Sequence, residues 1–346
     1  MIREETAGLP EAGAGGRKVP GPSALAELVR ELLNFPGIRR KEAIGPVLRA
    51  LESVTDYGRT VVGPGDDAAV LRLEGTTGPY LLMAADSIVP ALIEADPYRA
   101  GRAAVLVNAN DIYAMGGRPL AMVNVLGGVV RERQAEICRG MADECRRLRV
   151  PMVGGHLAPE EGGAFLAVSV LGEARALLVD SRATPGQDVV LALDLRGERW
   201  GDAILNWDSH AGKGADTLLA DLGVLCSLAE RGLCSACRDV SNAGIVGTLA
   251  MLLERAGLGA RIDLGSIAVP PPFGLGDWLR VYPSFGFVLV SAAAGLRETL
   301  RAFSDRGIWA ARIGRTDGTG RLRVCLDGEE AVAFDFSVGR ILNPCP

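Results

Sequence analysis

Between residues 65 and 117 the chain sets aspartates three times into stretches that are otherwise apolar or glycine-rich. These are Gly65-Asp66-Asp67-Ala68-Ala69, Ala85-Asp86-Ser87, and Asn108 to Gly117 with Asp111 inside it. An ionised carboxylate packed beside Ala, Val and Met is expensive unless a cation neutralises it. The segments are therefore expected to converge around positive charge. Carboxylate oxygens of this kind suit magnesium, which takes one or two carboxylates together with phosphate oxygens and water. Asp66, Asp67, Asp86 and Asp111 are the candidate metal ligands, and Asp239 joins them from the second half of the chain. Plainer readings stand beside these. Pro64-Gly65-Asp66-Asp67 is also a turn sequence, and Asp239 precedes a helix whose cap is expected at Ser241 or Asn242. Asp86 and Asp111 sit beside strand and helix interiors, where capping explains less.

The hydrophobic pattern around the aspartates alternates between helical and strand periods. Residues 1–22 are rich in Gly, Pro and Glu and read as a flexible lead-in. Ser23 is expected to cap a helix through Leu33, and a second helix is expected over Lys41 to Ser53. Two strands, Asp67 to Leu73 and Tyr80 to Ala85, flank the turn-rich Glu74 to Gly78. Asp96-Pro97 is a strong helix start, and the helix runs to Met115 before Gly116-Gly117; Asn108 and Asp111 share one of its faces. A strand at Pro119 to Leu126, a helix at Arg131 to Leu148 and strands at Pro151 to Val153 and Ala164 to Leu171 follow. The Pro/Gly turn at Ala183 to Asp188 marks an internal boundary. It divides residues 23–182 from a second domain at 183–340, leaving a tail at 341–346. That domain is expected to carry helices near 215–231 and 243–256, strands near 287–291 and 310–313, and an ordered loop at 196–214. The alternation implies helices packed on sheets, an α/β architecture.

Composition narrows the function. A net charge of −5, with 37 basic residues scattered and no basic tract interleaved with aromatics, argues against nucleic acid as a partner. No apolar run is long enough to span a membrane. An odd seven cysteines fits reduced thiols and a cytoplasmic setting. Phosphoryl transfer is mostly positioning and charge neutralisation, so two histidines suffice, and Asp67 and Asp111 are the candidate catalytic positions. Gly154-Gly155-His156 is expected to follow a strand and bring backbone N–H groups to a phosphate, with plain turn glycines as the alternative. Lys213, in His210-Ala211-Gly212-Lys213-Gly214, has the look of a phosphate loop without the Walker sequence. Cys234-Ser235-Ala236-Cys237 lacks the second pair a zinc site needs and reads as buried thiols. Trp207, Asp208, His210, Tyr282 and Phe285 are candidates for an acceptor pocket or for packing.

The motifs, in this order, resemble the superfamily of aminoimidazole ribonucleotide (AIR) synthetase, selenophosphate synthetase, thiamine-monophosphate kinase and the hydrogenase-maturation factor that dehydrates a carbamoylated cysteine. The resemblance covers about residues 23 to 325 and runs from Gly65-Asp66-Asp67 through Asp86, Asn108 to Gly117, Gly154-Gly155-His156 and Asp239-Val240-Ser241 to Ile313-Gly314-Arg315. It implies a two-domain PurM-like fold, with an N-terminal domain that forms a β-barrel across a homodimer and a C-terminal α/β domain. It further implies ATP and Mg2+ held by Asp66, Asp67, Asp86, Asp111 and Asp239, with Gly65, Asn108, Gly154, Gly155 and His156 toward the nucleotide. Within the superfamily the chain is most similar to the AIR synthase-related proteins, including the group called methanogenesis marker protein 2, through Asp96 to Gly101, Val107 to Val125, Arg238 to Leu249 and Tyr282 to Phe287.

Departures bear on the substrate. The first cysteine is Cys138, so the reactive Cys or selenocysteine that selenophosphate synthetases carry before their first Asp motif is missing. Gly154-Gly155-His156 stands where thiamine-monophosphate kinases have Gly-Gly-Asp, and Pro346 follows Cys345 where the hydrogenase factor ends in Cys. The expectation is a homodimeric Mg-ATP-dependent phosphotransferase or synthetase acting on a small-molecule acceptor. A thiamine-monophosphate kinase-like or selenophosphate synthetase-like enzyme and a non-catalytic ATP-sensing subunit are the alternatives.

Overall fold

The computed structural model describes residues 23–72, 79–200 and 206–342. The lead-in of residues 1–22, the turn at Glu74 to Gly78, part of the 196–214 loop and the tail from Asn343, with Cys345, lie outside the described residues.

The first sheet is built from β1 (Thr60–Val62), β2 (Ala69–Leu71), β3 (Tyr80–Ser87), β4 (Arg118–Gly127), β5 (Met152–Leu157) and β6 (Phe165–Ala174), in the order β1-β2-β3-β6-β4-β5. All neighbours are antiparallel except β4 and β5. Strand alternation puts Leu82, Met122, Leu166, Val168 and Val170 on the inner face. The Pro97–Ala114 helix packs on that face, and the Arg131–Leu148 helix packs on the first helix. Two glycines bring these helices close: a Cβ at Gly101 would lie 2.1 Å from the Ile137 carbonyl oxygen, and one at Gly140 would lie 2.0 Å from that of Tyr98. The outer face carries Met83, Val123, Val125, Phe165 and Leu171, all exposed.

The second sheet takes β7 (Asp188–Leu193), β10 (Cys234–Asp239), β11 (Gly259–Asp263), β13 (Gly286–Ser291), β14 (Trp309–Asp317), β15 (Arg321–Leu326) and β16 (Glu329–Asp335). Its order is β10-β13-β7-β14-β11-β15-β16, with only β11 and β15 parallel. A small sheet of β8 (Glu198–Trp200), β9 (Asn206–Asp208) and β12 (Tyr282–Pro283) stands apart from it. Every residue of β7 is buried, because both of its faces are covered. Val190 and Ala192 join the core shared with the first sheet, whereas Val189, Leu191 and Leu193 join a second core. Helix Ala215–Glu230 contributes to the shared core and helix Gly244–Ala256 to the second. The sheet between them is what fixes β10, and hence Asp239, against the first domain.

Three details differ from the sequence expectation. The Leu25, Val29 and Leu32 stripe and Ile38 pack into the second core, although the chain boundary at 183 assigned them to the first domain. The helix at 41–53 is an α-helix only over Ile44–Leu51, with 3-10 turns on either side; Pro46 is tolerated because it falls in the first turn. Of the strand expected over 67–73, the described residues form Ala69–Leu71, starting late because the side chains of Asp66 and Asp67 bond across to other segments; residue 73 lies outside the described residues. Ser23 and Asp96 cap their helices as expected, accepting from the backbone N–H groups of Ala26 at 3.2 Å and Arg99 at 2.9 Å. Among the described residues no helix is long and apolar enough to cross a membrane.

Candidate functional site

Arg238, the penultimate residue of β10, organises the first aspartate motif. Its guanidinium is buried and donates to Asp180 Oδ2 from Nε at 2.9 Å and from Nη2 at 2.5 Å, to Asp67 Oδ1 at 3.1 Å, and to the Gly65 carbonyl oxygen. Asp66 accepts from the backbone N–H of Asp180 at 3.1 Å. The other oxygen of Asp67 accepts from the backbone N–H of Asp239 at 3.0 Å. The turn at Gly65 (φ +109°) is thereby stapled to the end of β10, and Asp67 and Asp239 become neighbours.

Asp86 and Asp111 arrive from β3 and from the helix above it. Asn108 joins the two elements: its Oδ1 accepts from the Asp86 backbone N–H at 3.2 Å and its Nδ2 donates to the Ala104 carbonyl at 2.9 Å. Asn108 is fully buried, with both ends of its amide used inside the protein. The side chain expected near phosphates therefore fixes the strand that carries Asp86.

The four acids feel one another. Burial pushes the Asp67 carboxyl up to about 6 from its ordinary 3.8, with the Arg238 guanidinium opposing this and Asp66 adding to it. Burial, then the charges of Asp86, Asp239 and Asp67, hold Asp111 well above the usual carboxylate range. Asp239 is raised by burial, then by Asp67 and Asp86. Asp86 has an exposed edge at the cleft, yet the protein crowded around it also raises its carboxyl. Lys41 is the cation that opposes these shifts at all four. Among the described residues no three of His, Cys, Asp or Glu already form a metal cage. The donors are hard oxygens with a deficit of positive charge around them, which fits Mg2+ shared with a bound anion.

A cleft between the domains, about 980 Å³ with its open mouth included, reaches two of these acids. Asp86 and Asp239 line it, as do Ser241 and Asn242. Neither of the last two caps the following helix, contrary to expectation: that helix starts at Gly244, Ala243 occupies the cap position, and no side chain bonds there. Gly244 has φ +69°, and a Cβ on it would lie 2.3 Å from the Leu279 carbonyl oxygen.

The remaining candidates separate. Gly154, Gly155 and His156 are not in a turn after a strand but lie within β5, at the sheet edge and exposed. Asp86, Val168, Asn124 and Gly155 lie in register across four adjacent strands, so Gly155 is about 14 Å from Asp86 within one chain. Lys213 is not poised for phosphate, because it is bound to Asp194 and to Asp221, the latter at 2.8 Å. Trp207 and Phe285 are packing residues, Trp207 meeting Trp278 with ring centroids 5.6 Å apart, and His210 is buried behind the cleft; Asp208 and Tyr282 do line it. Cys226, Cys234 and Cys237 are buried thiols pushed up by burial. Sequence reasoning missed Arg238, Asp180 and Lys41. Arg238 had a visible signal, a lone cation that follows the uncharged Cys234-Ser235-Ala236-Cys237 and directly precedes Asp239.

Comparison with known proteins agrees with this architecture. Residues 65–174 match the family model described as AIR synthase related protein, N-terminal domain, and residues 198–327 match its C-terminal domain. The chain belongs to the AIR synthase-related family, with the two-domain PurM-like α/β fold. It is 34% identical over 312 residues to the Synechocystis sp. protein sll0787, covering 90% of this chain and 96% of that one. It is 37% identical to the Methanocaldococcus jannaschii protein MJ0640, covering 90% and 97%; both relatives are described as uncharacterized. Among solved structures, T. maritima PurL complexed with ATP superposes with a TM-score of 0.70 at 17% identity, over 93% of this chain and 53% of that one. AaThiL complexed with AMPPCP and TMP gives 0.61 at 16%, over 84% and 93%. The chain thus spans about half the length of the PurL structures it matches.

Proposed function

We propose that this protein is a Mg-ATP-dependent phosphotransferase or synthetase acting on a small metabolite, and that it works as a homodimer. The observation that carries this reading is the convergence of Asp67, Asp86, Asp111 and Asp239, all raised by burial and Asp111 and Asp239 raised further by the charges of the others, with Asp86 and Asp239 in the wall of an interdomain cleft. Those four residues would hold magnesium, which neutralises charge on a triphosphate. Arg238 fixes the orientation of Asp67, Asn108 fixes the strand bearing Asp86, and Lys41 presents a positive charge toward the group. The two domains wall the cleft on either side and limit the water around a reacting phosphoryl group. Solved relatives of the same fold were complexed with ATP and with AMPPCP, which supports the nucleotide reading.

The outer face of the first sheet supports the dimer. Met83, Val123, Val125, Phe165 and Leu171 form an apolar surface on three adjacent strands, and Gly154 to His156 lie at its rim on β5. A second copy on this face would bury it and close the sheet edge.

Thermal unfolding with a nonhydrolysable ATP analogue tests the nucleotide reading. Stabilisation by the analogue with Mg2+, lost with EDTA and lost in Asp111→Asn, is the expected result. Equal stabilisation of wild type and Asp111→Asn would remove the assigned site.

A further inference from the structure

The turn at Gly65 to Asp67 has two sides. Asp67 faces the other acids: its charge acts on Asp111 and Asp239, and its Oδ2 accepts from the Asp239 backbone N–H at 3.0 Å. Asp66 faces the scaffold. Its charge acts on Asp67 and Asp180, its Oδ1 accepts from the Asp67 backbone N–H and its Oδ2 from that of Asp180, both at 3.1 Å. Of the roughly four lone-pair sites on the Asp67 carboxylate, Arg238 takes one and the Asp239 N–H another, and the rest remain for a cation.

Asp180 lies between β6 and β7, where the chain passes from the first sheet to the second, and is 1% exposed. It takes the larger share of Arg238. Nε and Nη2 both donate to its Oδ2, at 2.9 and 2.5 Å, whereas Asp67 receives Nη1 alone, at 3.1 Å. The Oδ1 of Asp180 has no hydrogen-bond partner among the described residues, so no other donor draws this carboxyl away from the guanidinium. Without Asp180 the freed guanidinium would turn to the carboxylates left to it, Asp67 and Asp66, the latter 4.0 Å away. A guanidinium fork closed on both oxygens of Asp67 would pull it from the Asp239 N–H and occupy the positions a cation needs.

We propose that Asp180 and Asp66 are positioning residues for the cation site and not ligands of it: Asp180 holds Arg238 back so that the guanidinium steers Asp67 with a single donor, and Asp66 ties the turn to the Asp180 backbone. Together they keep Asp67 aimed at Asp239, Asp86 and Asp111. The sequence motif Gly65-Asp66-Asp67 thereby divides its work, the second aspartate toward the metal and the first toward the protein. Groups that orient a metal ligand from behind are worth roughly 10–100-fold in metal affinity. The inference rests on the magnesium reading above.

Titration with Mn2+ alone, followed by the electron paramagnetic resonance of the free ion, reads the effect without turnover. Asp180→Ala is expected to bind Mn2+ about tenfold more weakly than wild type, and Asp180→Asn, whose amide oxygen still accepts from Arg238, within about threefold of it. Asp66→Asn, which exchanges one of the two acceptors for an amide N–H, is also expected to be about tenfold weaker, and Asp111→Asn, which removes an assigned ligand, to bind least. Leu322→Ala truncates the second core on β15, five strands from β10, and separates lost stability from lost affinity: it should unfold earlier in urea and bind Mn2+ as wild type does. Wild-type affinity in folded Asp180→Ala, or an Asp66→Asn that binds either as wild type or as poorly as Asp111→Asn, would overturn the positioning role. The Asp66→Asn arm decides by itself if Asp180→Ala does not fold. No Mn2+ binding to wild type, or wild-type affinity in Asp111→Asn, would sink the magnesium reading and this inference with it.

Discussion

Asp67 couples the stability of the metal-free protein to pH in a direction opposite to that of most paired carboxylates. Its side chain is only 7% exposed, and burial, partly opposed by Arg238, lifts its carboxyl from 3.8 to about 6. A group whose folded pKa is raised binds a proton more tightly in the folded state. Its contribution to stability is therefore full below the ordinary carboxylate value and is lost as pH rises through about 6. The rise corresponds to about 3 kcal/mol across the whole range, of which about 1.3 kcal/mol is lost between about pH 5 and about pH 7. Asp86, Asp111 and Asp239 are shifted the same way and add to the slope. Urea unfolding of the EDTA-treated protein at the two pH values measures it. The metal-free protein is expected to be more stable at the lower pH, and Asp67→Asn is expected to flatten the dependence by about 1 kcal/mol. An unchanged slope in Asp67→Asn, or greater metal-free stability at the higher pH, would refute the picture of crowded, unneutralised acids.

Arg238→Met removes the one guanidinium shared by Asp67 and Asp180 and leaves buried carboxylates uncompensated; a loss of about 3–5 kcal/mol is expected in the same urea assay at neutral pH. Gly244→Ala forces a Cβ against the Leu279 carbonyl at positive φ and should cost at least about 1–3 kcal/mol, which equilibrium unfolding reads directly. Glu144 behaves in the opposite sense to Asp67. Burial raises its carboxyl, but the facing His210, Arg102 and Arg147 more than offset this and hold it at about 2, so its contribution persists at pH 5 and fades only as pH falls from about 4.5 through 2. Acid titration of Glu144→Gln should accordingly show a shallower loss of stability than wild type below that point. Val123→Arg, on the exposed outer face of the first sheet, should convert a dimer to a monomer in sedimentation velocity while leaving the circular dichroism spectrum unchanged.

Much of the architecture was legible because local chemistry and tertiary demand agree. Asp96-Pro97 and Gly116 bound a helix whose cap and stop are written in residue type, and the Arg131–Leu148 helix follows from its apolar period. The aspartates stood out because carboxylates in apolar surroundings need a reason, and the chain does gather Asp67, Asp86, Asp111 and Asp239. What escaped were contacts between segments far apart in sequence. The Arg238 contact with Asp67 joins residues 171 positions apart, and no local pattern marks Asp180 as its partner. Gly154-Gly155-His156 misled because glycines in a short strand read as a turn, and only pairing with β4 reveals β5. Asn108, expected toward the nucleotide, instead bonds the Asp86 N–H and the Ala104 carbonyl, since a buried amide serves backbone groups as readily as a phosphate. The Leu25 to Ile38 segment joined the second core because an amphipathic stripe declares that it is buried, without naming its partner.

Crystals grown with a nonhydrolysable ATP analogue and Mn2+ in place of Mg2+ would locate the cation by its anomalous signal. At least one ion is expected within about 2.0–2.3 Å of carboxylate oxygens from Asp67, Asp86, Asp111 or Asp239, bridging to the phosphates. Nucleotide bound with its phosphates remote from all four aspartates, or a cation held only by other residues, would contradict this assignment.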